Sequence, residues 1–301
     1  MAESWDDMRI FLSVARSESL SAAGRGLRMD PATVGRRIAR LEARLGVPLF
    51  AKSPQGYALT DAGARLTRHA EAAEQAMQAA QEAAVGASEG LSGQLRIGAP
   101  DGCANFVLPQ VCAALVAANP DLDIQILALP RVVNLSRREA DLAITVSPPS
   151  AGRLLVQKLC DYHLSLAASE GYLATSPPIA ALDDLRHHRV VGYIPDMIFD
   201  KELDYLTDTG LERVHLASNS VAVQFSAVRQ GGGVGIVHDF ALPTAPEVRR
   251  LLPGAFRLRR SFYMVRHADD RRLERLNRLA EAVATGLRGE IQRLEGSLPA
   301  D

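Results

Sequence analysis

Apolar positions in the first 60 residues recur at helical spacing and stop at turn residues. Val34, Ile38, Leu41 and Leu45 share one narrow helical face, and Thr33, Arg36, Arg37, Arg40 and Arg44 share the opposite one. Asp30-Pro31 predicts where this helix begins: aspartate accepts from free N–H groups of a first turn, and proline fits that turn. Leu20, Ala23 and Leu27 mark a shorter Ala-rich helix just before it, so the pair reads as helix-turn-helix. Upstream, Ser4 precedes an apolar helical face of Trp5, Met8, Phe11, Leu12 and Ala15. Downstream, Leu49-Phe50 is expected to close a small core. Ser53-Pro54-Gln55-Gly56 reads as a turn between two short extended pieces, and Thr60 caps a new helix.

The guanidinium stripe changes the picture from a small helical core to a candidate for nucleic acid. Planar donor forks on a rigid helix suit phosphates and guanine edges in a major groove. A charged stripe is also what an ordinary solvated helix face looks like. Here the stripe itself contains no acid, so its field has one sign. Residues 1–68 carry 11 Lys/Arg against 7 Asp/Glu, a local net of +4 in a chain whose overall net charge is −1.

From Asp61 to about Val85 the pattern shifts to small residues. Leu66, Ala70, Ala73, Met77, Ala80 and Ala84 alternate four and three apart, a heptad seam that lets two helices approach closely. The seam fits either a second copy of this helix or the chain's own core. Gly86 to Gly93 then breaks the helix as a hinge.

Beyond residue 93, short apolar runs alternate with helical patterns, which implies a parallel sheet. Strands are predicted at 94–99, 123–129, 141–146, 155–168, 189–194, 213–218, 234–238 and 256–266. Helices are predicted at 105–118, 199–208, 219–230 and 269–293, with a helical turn at 134–140. Ligands in such folds sit at the carboxyl ends of strands. That rule nominates Asp101, Gly102 and Cys103 after the first strand, Thr145 and Ser147 after the third, and Tyr193 and Asp196 in the second half. Asn219 and Ser220, at a helix start, and His238, after a strand, complete the set. Each is equally at home as an ordinary cap or turn residue.

Other chemistry recedes. Gly231-Gly232-Gly233-Val234-Gly235 follows a helix and precedes a strand, the reverse of a dinucleotide loop, so no cofactor is expected. His187-His188 lacks metal spacing, and Cys103, Cys112 and Cys160 are too few and scattered for a zinc site or disulfide frame. No run approaches about 18 apolar residues and no apolar leader is seen, so a cytoplasmic chain with no membrane partner is expected.

The order of elements resembles the winged helix-turn-helix of the LysR-type transcriptional regulators. The matching residues are Ala22-Ala23, Leu27, Arg36, Ile38, Leu41-Glu42, Leu45-Gly46, Leu49-Phe50, Leu59-Thr60 and Ala62-Gly63. The resemblance implies an α/β chain in three parts: a winged head at 1–60, a linker and dimerisation helix at 61–88, and an effector-binding domain at 89–301. That last domain would have two α/β lobes, like a type 2 periplasmic binding protein. It implies double-stranded promoter DNA as a partner, contacted by Ala32, Thr33, Arg36, Arg37, Arg40, Lys52, Ser53 and Gln55. It further implies a small-molecule effector between the lobes, homodimers through 61–88, and homotetramers. Departures from the family pattern stand at Pro31-Ala32 and Gly35 in the recognition helix and at Lys52 in the wing. Pro100-Asp101 departs where many members carry a Ser or Thr that helps hold an anionic effector. Asp101 reads either as a group that repels a carboxylate, so that the effector is neutral or carries an amine for which Asp101 is the counter-charge, or as a cap only, with an anion site at Asn219-Ser220. The rival functions are an enzyme or a transport binding protein on the same lobes. No nucleophile–base or metal constellation supports the first, and no export signal supports the second.

Overall fold

The computed structural model describes residues 5–53, 56–85, 90–129, 139–150, 152–209, 211 and 213–299. The chain divides into two compact units, Met1–Glu89 with Asp269–Glu274 and Gly90–Ala268 with Arg275–Asp301.

The first unit holds α1 (Trp5–Ser17), α2 (Leu20–Leu27), α3 (Pro31–Leu45), β1 (Phe50–Ser53), β2 (Gly56–Leu59) and α4 (Asp61–Val85). The α3 start is as the sequence implies: Asp30 accepts from the N–H groups of Ala32 and Thr33. Ser19 caps α2 in the same manner. Between α2 and α3 the chain turns through Arg28, in the left-handed region at φ 53°, and Met29 N–H donates back to Gly24 O at 2.8 Å. A Cβ on Gly24 would lie 2.7 Å from the Met29 carbonyl oxygen, so the turn requires glycine. Val34, Ile38 and Leu41 enter a core with Phe11, Leu12, Val14, Ala23, Leu49 and Phe50. Glu42 sets the exit from α3, its Oε1 accepting from Leu49 N–H at 2.7 Å and Phe50 N–H at 3.0 Å. Strands β1 and β2 pair antiparallel from Phe50↔Leu59 to Ser53↔Gly56, which makes the expected wing. Thr60 caps α4, accepting from Gly63 N–H at 3.0 Å. The cap expected of Ser4 lies outside the described residues.

Among the described residues, the second unit is built on a nine-stranded sheet. Its strands are β3 (Gly93–Pro100), β4 (Leu122–Leu129), β5 (Leu142–Thr145), β6 (Leu154–Ser169), β7 (Val190–Gly192), β8 (Leu216–Ala217), β9 (Val234–His238), β10 (Val248–Leu251) and β11 (Arg257–His267). The order is β4-β3-β5-β11-β6-β9-β7-β8, with β10 also on β6. The long antiparallel pair β6/β11 runs through both lobes: β11 pairs with β5 of the first, and β6 pairs with β9 of the second. Parallel pairing within each lobe (β3 with β4 and β5, β7 with β8 and β9) confirms strand–helix alternation. Helices α5 (Asp101–Phe106), α6 (Leu108–Ala118), α7 (Glu170–Leu173), α8 (Val221–Arg229) and α9 (Glu274–Gly296) complete the chain.

Five elements differ from the sequence pattern. The helix expected at 105–118 starts earlier, at Asp101, and breaks at Val107 (φ −121°, ψ −52°). Pro109 explains the break, since its ring cannot donate to the preceding turn. The helix expected at 199–208 is instead a pair of short 3-10 turns, Lys201–Leu203 and Thr207–Thr209. The last helix begins at Glu274 rather than 269, after a 3-10 turn at Ala268–Arg272. Strand β10 and helix α7 were not anticipated. Most of the 134–140 turn lies outside the described residues, as do 86–89 of the hinge.

Candidate nucleic-acid interface and effector cleft

The outer face of α3 does not present a uniform row of free cations. Asp7 of α1 is fully buried beneath it. Arg37 Nε lies 2.7 Å from Asp7 Oδ1, Arg44 Nη2 2.5 Å from Oδ2, and Arg40 Nη2 3.5 Å from Oδ1. Three of the four arginines in the stripe therefore converge on one carboxylate from another helix. Arg40 stays more than half exposed and Arg37 less than a third. Arg36 is different: it is exposed, no acid among the described residues pairs with it, and its Nη2 donates to Thr33 Oγ1 at 2.8 Å. Ala32 is exposed one position before Thr33. Arg36, Thr33 and Ala32 thus form a small open patch at the start of α3. Lys52 and Ser53 lie at the tip end of β1, where their side chains are outside the described residues, and so is Gln55.

On α4 the heptad seam divides. Leu66 and Ala70 pack into the head's own core, and Arg16 of α1 reaches across to Glu74, with Nη2 2.6 Å from Oε2. Ala73, Met77 and Ala80 face outward and are exposed. Ala84 has no described side chain.

In the second unit, the nominated residues Asp101, Gly102, Cys103, Tyr193, Asn219 and His238 line one cavity between the lobes. Ser220 meets it through Asp101. Ser147, of the first lobe, donates to Asp200 of the second, and Thr145 donates to Ser147 O at 2.7 Å. Both lie beside the cavity rather than in its lining. Asp196 is exposed and outside it. The sequence reading missed Tyr162, Tyr205, Phe199 and Phe262, which supply most of the cavity's aromatic wall. Tyr162 stacks on Phe262 with ring centroids 4.1 Å apart and on His238 at 5.5 Å.

Asp101 does not serve its own helix. The N-cap of α5 is Pro100, which makes no side-chain cap bond. The Asp101 carboxylate instead crosses to the other lobe. Its Oδ2 accepts from Ser220 Oγ at 2.9 Å and from Ala222 N–H at 3.0 Å, at the start of α8. Gly102 permits the approach: a Cβ there would meet His238 Cε1 at 3.2 Å. Phe106 and Phe225 add an edge-on aromatic contact across the same gap, with centroids 5.3 Å apart.

Burial sets the protonation of this region. The His238 imidazole is pushed down to about 3, so the ring is neutral at pH 7. Burial pushes the Tyr162 and Tyr205 phenols upward. All three cysteines are free thiols. Burial raises Cys103 far above the ordinary range, Cys112 to about 11 and Cys160 to about 12, the last helped by Asp161 and Glu295. These are protonated, unreactive thiols. His188 is buried with Nδ1 3.2 Å from Tyr172 OH, and among the described residues no cluster of His, Cys, Asp and Glu is placed to hold a metal.

A winged helix-turn-helix joined to a two-lobed α/β domain with a polar-edged interlobe cavity defines a ligand-responsive DNA-binding protein. The comparisons make the class specific. The model of the bacterial regulatory helix-turn-helix protein, lysR family, matches residues 5–64, and that of the LysR substrate binding domain matches residues 88–288. The chain belongs to the LysR family of transcriptional regulators, which are not enzymes. A curated relative, the HTH-type transcriptional regulator PtxR of Pseudomonas aeruginosa, is 30% identical over 81% of this chain and 80% of its own. Among solved structures, full-length OxyR of Pseudomonas aeruginosa has a TM-score of 0.71 at 18% identity, covering 96% of this chain and 95% of that one. LysG of Corynebacterium glutamicum, solved with bound arginine, has a TM-score of 0.62 at 20% identity, covering 95% and 98%. At these identities the structural matches establish the fold alone. No helix among the described residues is long and apolar enough to cross a membrane.

Proposed function

We propose that this regulator reads operator DNA through the start of α3, pairs subunits through α4, and is controlled by a small molecule held between its two lobes. The observation that carries the first part is the Arg36–Thr33 patch, the portion of the α3 stripe left without an acid partner. A guanidinium free of internal carboxylates keeps its donors for a guanine edge or a phosphate. Arg40 and the Lys52–Gln55 tip of the wing are assigned to the flanking backbone, where contacts position the head without reading sequence. The test is fluorescence anisotropy with DNA from upstream of its own gene. Log affinity should fall linearly with log salt, as counterion release requires. Salt-independent binding, or equal affinity for the upstream sequence and a scrambled duplex, would refute it.

The pairing reading rests on Ala73, Met77 and Ala80, a row of small or flexible apolar side chains left exposed on one helix face. A second copy of α4 covers such a row at close range. Tetramers would then need a further contact through the effector domains. Ala73→Glu and Ala80→Glu should each shift the chain toward monomers at micromolar concentration in sedimentation, since an unpaired charge in a tight seam is costly. Unchanged association in both variants would remove α4 from the interface.

The effector reading rests on the interlobe cavity, where His238 Nδ1 is buried without a hydrogen-bond partner among the described residues and the buried Tyr162 and Tyr205 hydroxyls have only neighbouring tyrosine hydroxyls to meet. Buried polar atoms rarely stay unpaired. Two curated mycobacterial relatives are described as probable hydrogen peroxide-inducible genes activators. The protonated cysteines here, two buried and Cys160 half-buried, give no support to a thiol-based peroxide response in this chain.

A further inference from the structure

We propose that Asp101 is a tethered anion that fills the α8 N-terminus, so that the interlobe cleft of this chain takes a small uncharged molecule and excludes carboxylates. The inference rests on the effector-cleft reading above and adds the ligand's class.

The N-terminus of α8 opens toward the cleft, with the Ser220 hydroxyl and the Ala222 N–H aimed outward. Free N–H groups at a helix start form an anion site. Here the anion is already covalently present, delivered from a residue 119 positions away on the other lobe. The second oxygen, Oδ1, accepts from Asn105 Nδ2 at 3.0 Å, and Asn105 also donates to Asp101 O at 2.8 Å, so the carboxylate is fixed from behind. The two alternatives left by the sequence therefore merge. Asp101 is a cap, and the helix it caps is the one that would otherwise hold an anion. The carboxylate's charge is met by the helix dipole and three hydrogen bonds, which leaves little for an amine.

The rest of the lining gives the ligand its character. Apart from Asp101, the described residues of the cavity wall carry no charged side chain. Its remaining polar groups are the hydroxyls of Tyr162, Tyr193 and Tyr205, the Asn219 amide, the Cys103 thiol and the neutral ring of His238. These are donors and acceptors without charge, set among Phe199, Phe262, Leu203 and Val221. Among the described lining residues, a second carboxylate entering would meet Asp101 and no compensating cation. The cavity as it stands is about 10 Å³, room for the centre of one water, so a ligand enters only when the lobes part. The Asp101–α8 and Ser147–Asp200 bonds are the polar ties that must yield.

Formate and acetate are the probes, at constant ionic strength against chloride, on the full chain. The wild type should show no carboxylate-specific change in melting temperature. Asp101→Ala should melt lower by about 4 °C, the loss of one helix cap in a domain of this size. Millimolar formate should then recover much of that loss along a saturable curve. Asp101→Asn, which keeps the shape and loses the charge, covers the case in which the alanine variant fails to fold, and should also respond to neither ion. Carboxylate-specific stabilisation of the wild type, or no saturable recovery in Asp101→Ala when it folds, overturns the assignment. Formate response in Asp101→Asn overturns it as well. Operator affinity of Asp101→Ala with and without formate is the separate readout. If formate restores melting and leaves DNA affinity untouched, the tethered anion stands and the effector-cleft reading fails.

Discussion

Asp7→Ala destabilises the DNA-binding head while leaving the two-lobed domain intact. The buried carboxylate holds three guanidiniums, with Arg37 at 2.7 Å and Arg44 at 2.5 Å as its close partners. Removing the acid leaves these cations facing one another with no counter-charge at the buried Asp7 position. Breaking a fully buried pair costs about 3–5 kcal/mol, but all three arginines keep some exposure and can rehydrate, which lowers the expected loss to about 2–3 kcal/mol. That is a large share of the stability of a head this small. Trp5, the single tryptophan of the chain, lies on the same helix as Asp7, so its fluorescence reports on the head. In guanidinium chloride the Trp5 transition should move to lower denaturant with an unchanged slope, and the later circular-dichroism transition should not move. Asp7→Asn should fall between. A Trp5 midpoint equal to wild type would show that the arginines do not depend on Asp7.

That cluster also shows where the sequence stopped being readable. The start of α3 was legible because its determinants are adjacent: Asp30 and Pro31 fix the cap, and Val34, Ile38 and Leu41 fix the buried face. The fate of Arg37, Arg40 and Arg44 was not, because their partner comes from another helix 30 or more positions away. A stripe with one sign of charge in the sequence has three of its four arginines tied in space to one buried carboxylate. The 199–208 segment failed for a local reason. Asp200 accepts from Glu202 N–H, and Asp204 from Thr207 N–H and Oγ1, so each aspartate closes its own short turn before a helix can propagate. In the cleft, Asp101, Asn219 and His238 were found because strand ends are predictable. Tyr162 and Tyr205 were missed because Tyr162 sits inside a 16-residue strand and Tyr205 between two turns, places where an aromatic residue reads as plain core. The one available signal was their hydroxyl groups, which a purely apolar core does not call for.

The same separation of roles predicts that Arg36 and Arg37, neighbours in sequence, differ in kind. Arg36→Ala should lower operator affinity by about 5- to 150-fold, the range of a lost bidentate base contact worth ~1–3 kcal/mol. Discrimination against scrambled duplex should shrink with it, since a base contact carries specificity and a phosphate contact does not. Its stability should hold, because Arg36 is exposed and its hydrogen bond to Thr33 is a local one at the surface. Arg37→Ala should do the reverse first: the Trp5 transition weakens, because Arg37 is the most enclosed of the three partners of Asp7. Any loss of DNA affinity in Arg37→Ala should then track loss of folded head and be recovered when stability is restored by temperature or osmolyte. Arg36→Ala should show no such recovery. Equal affinity losses with equal stability in the two variants would mean that both side chains meet DNA directly and that the pairing with Asp7 gives way on binding.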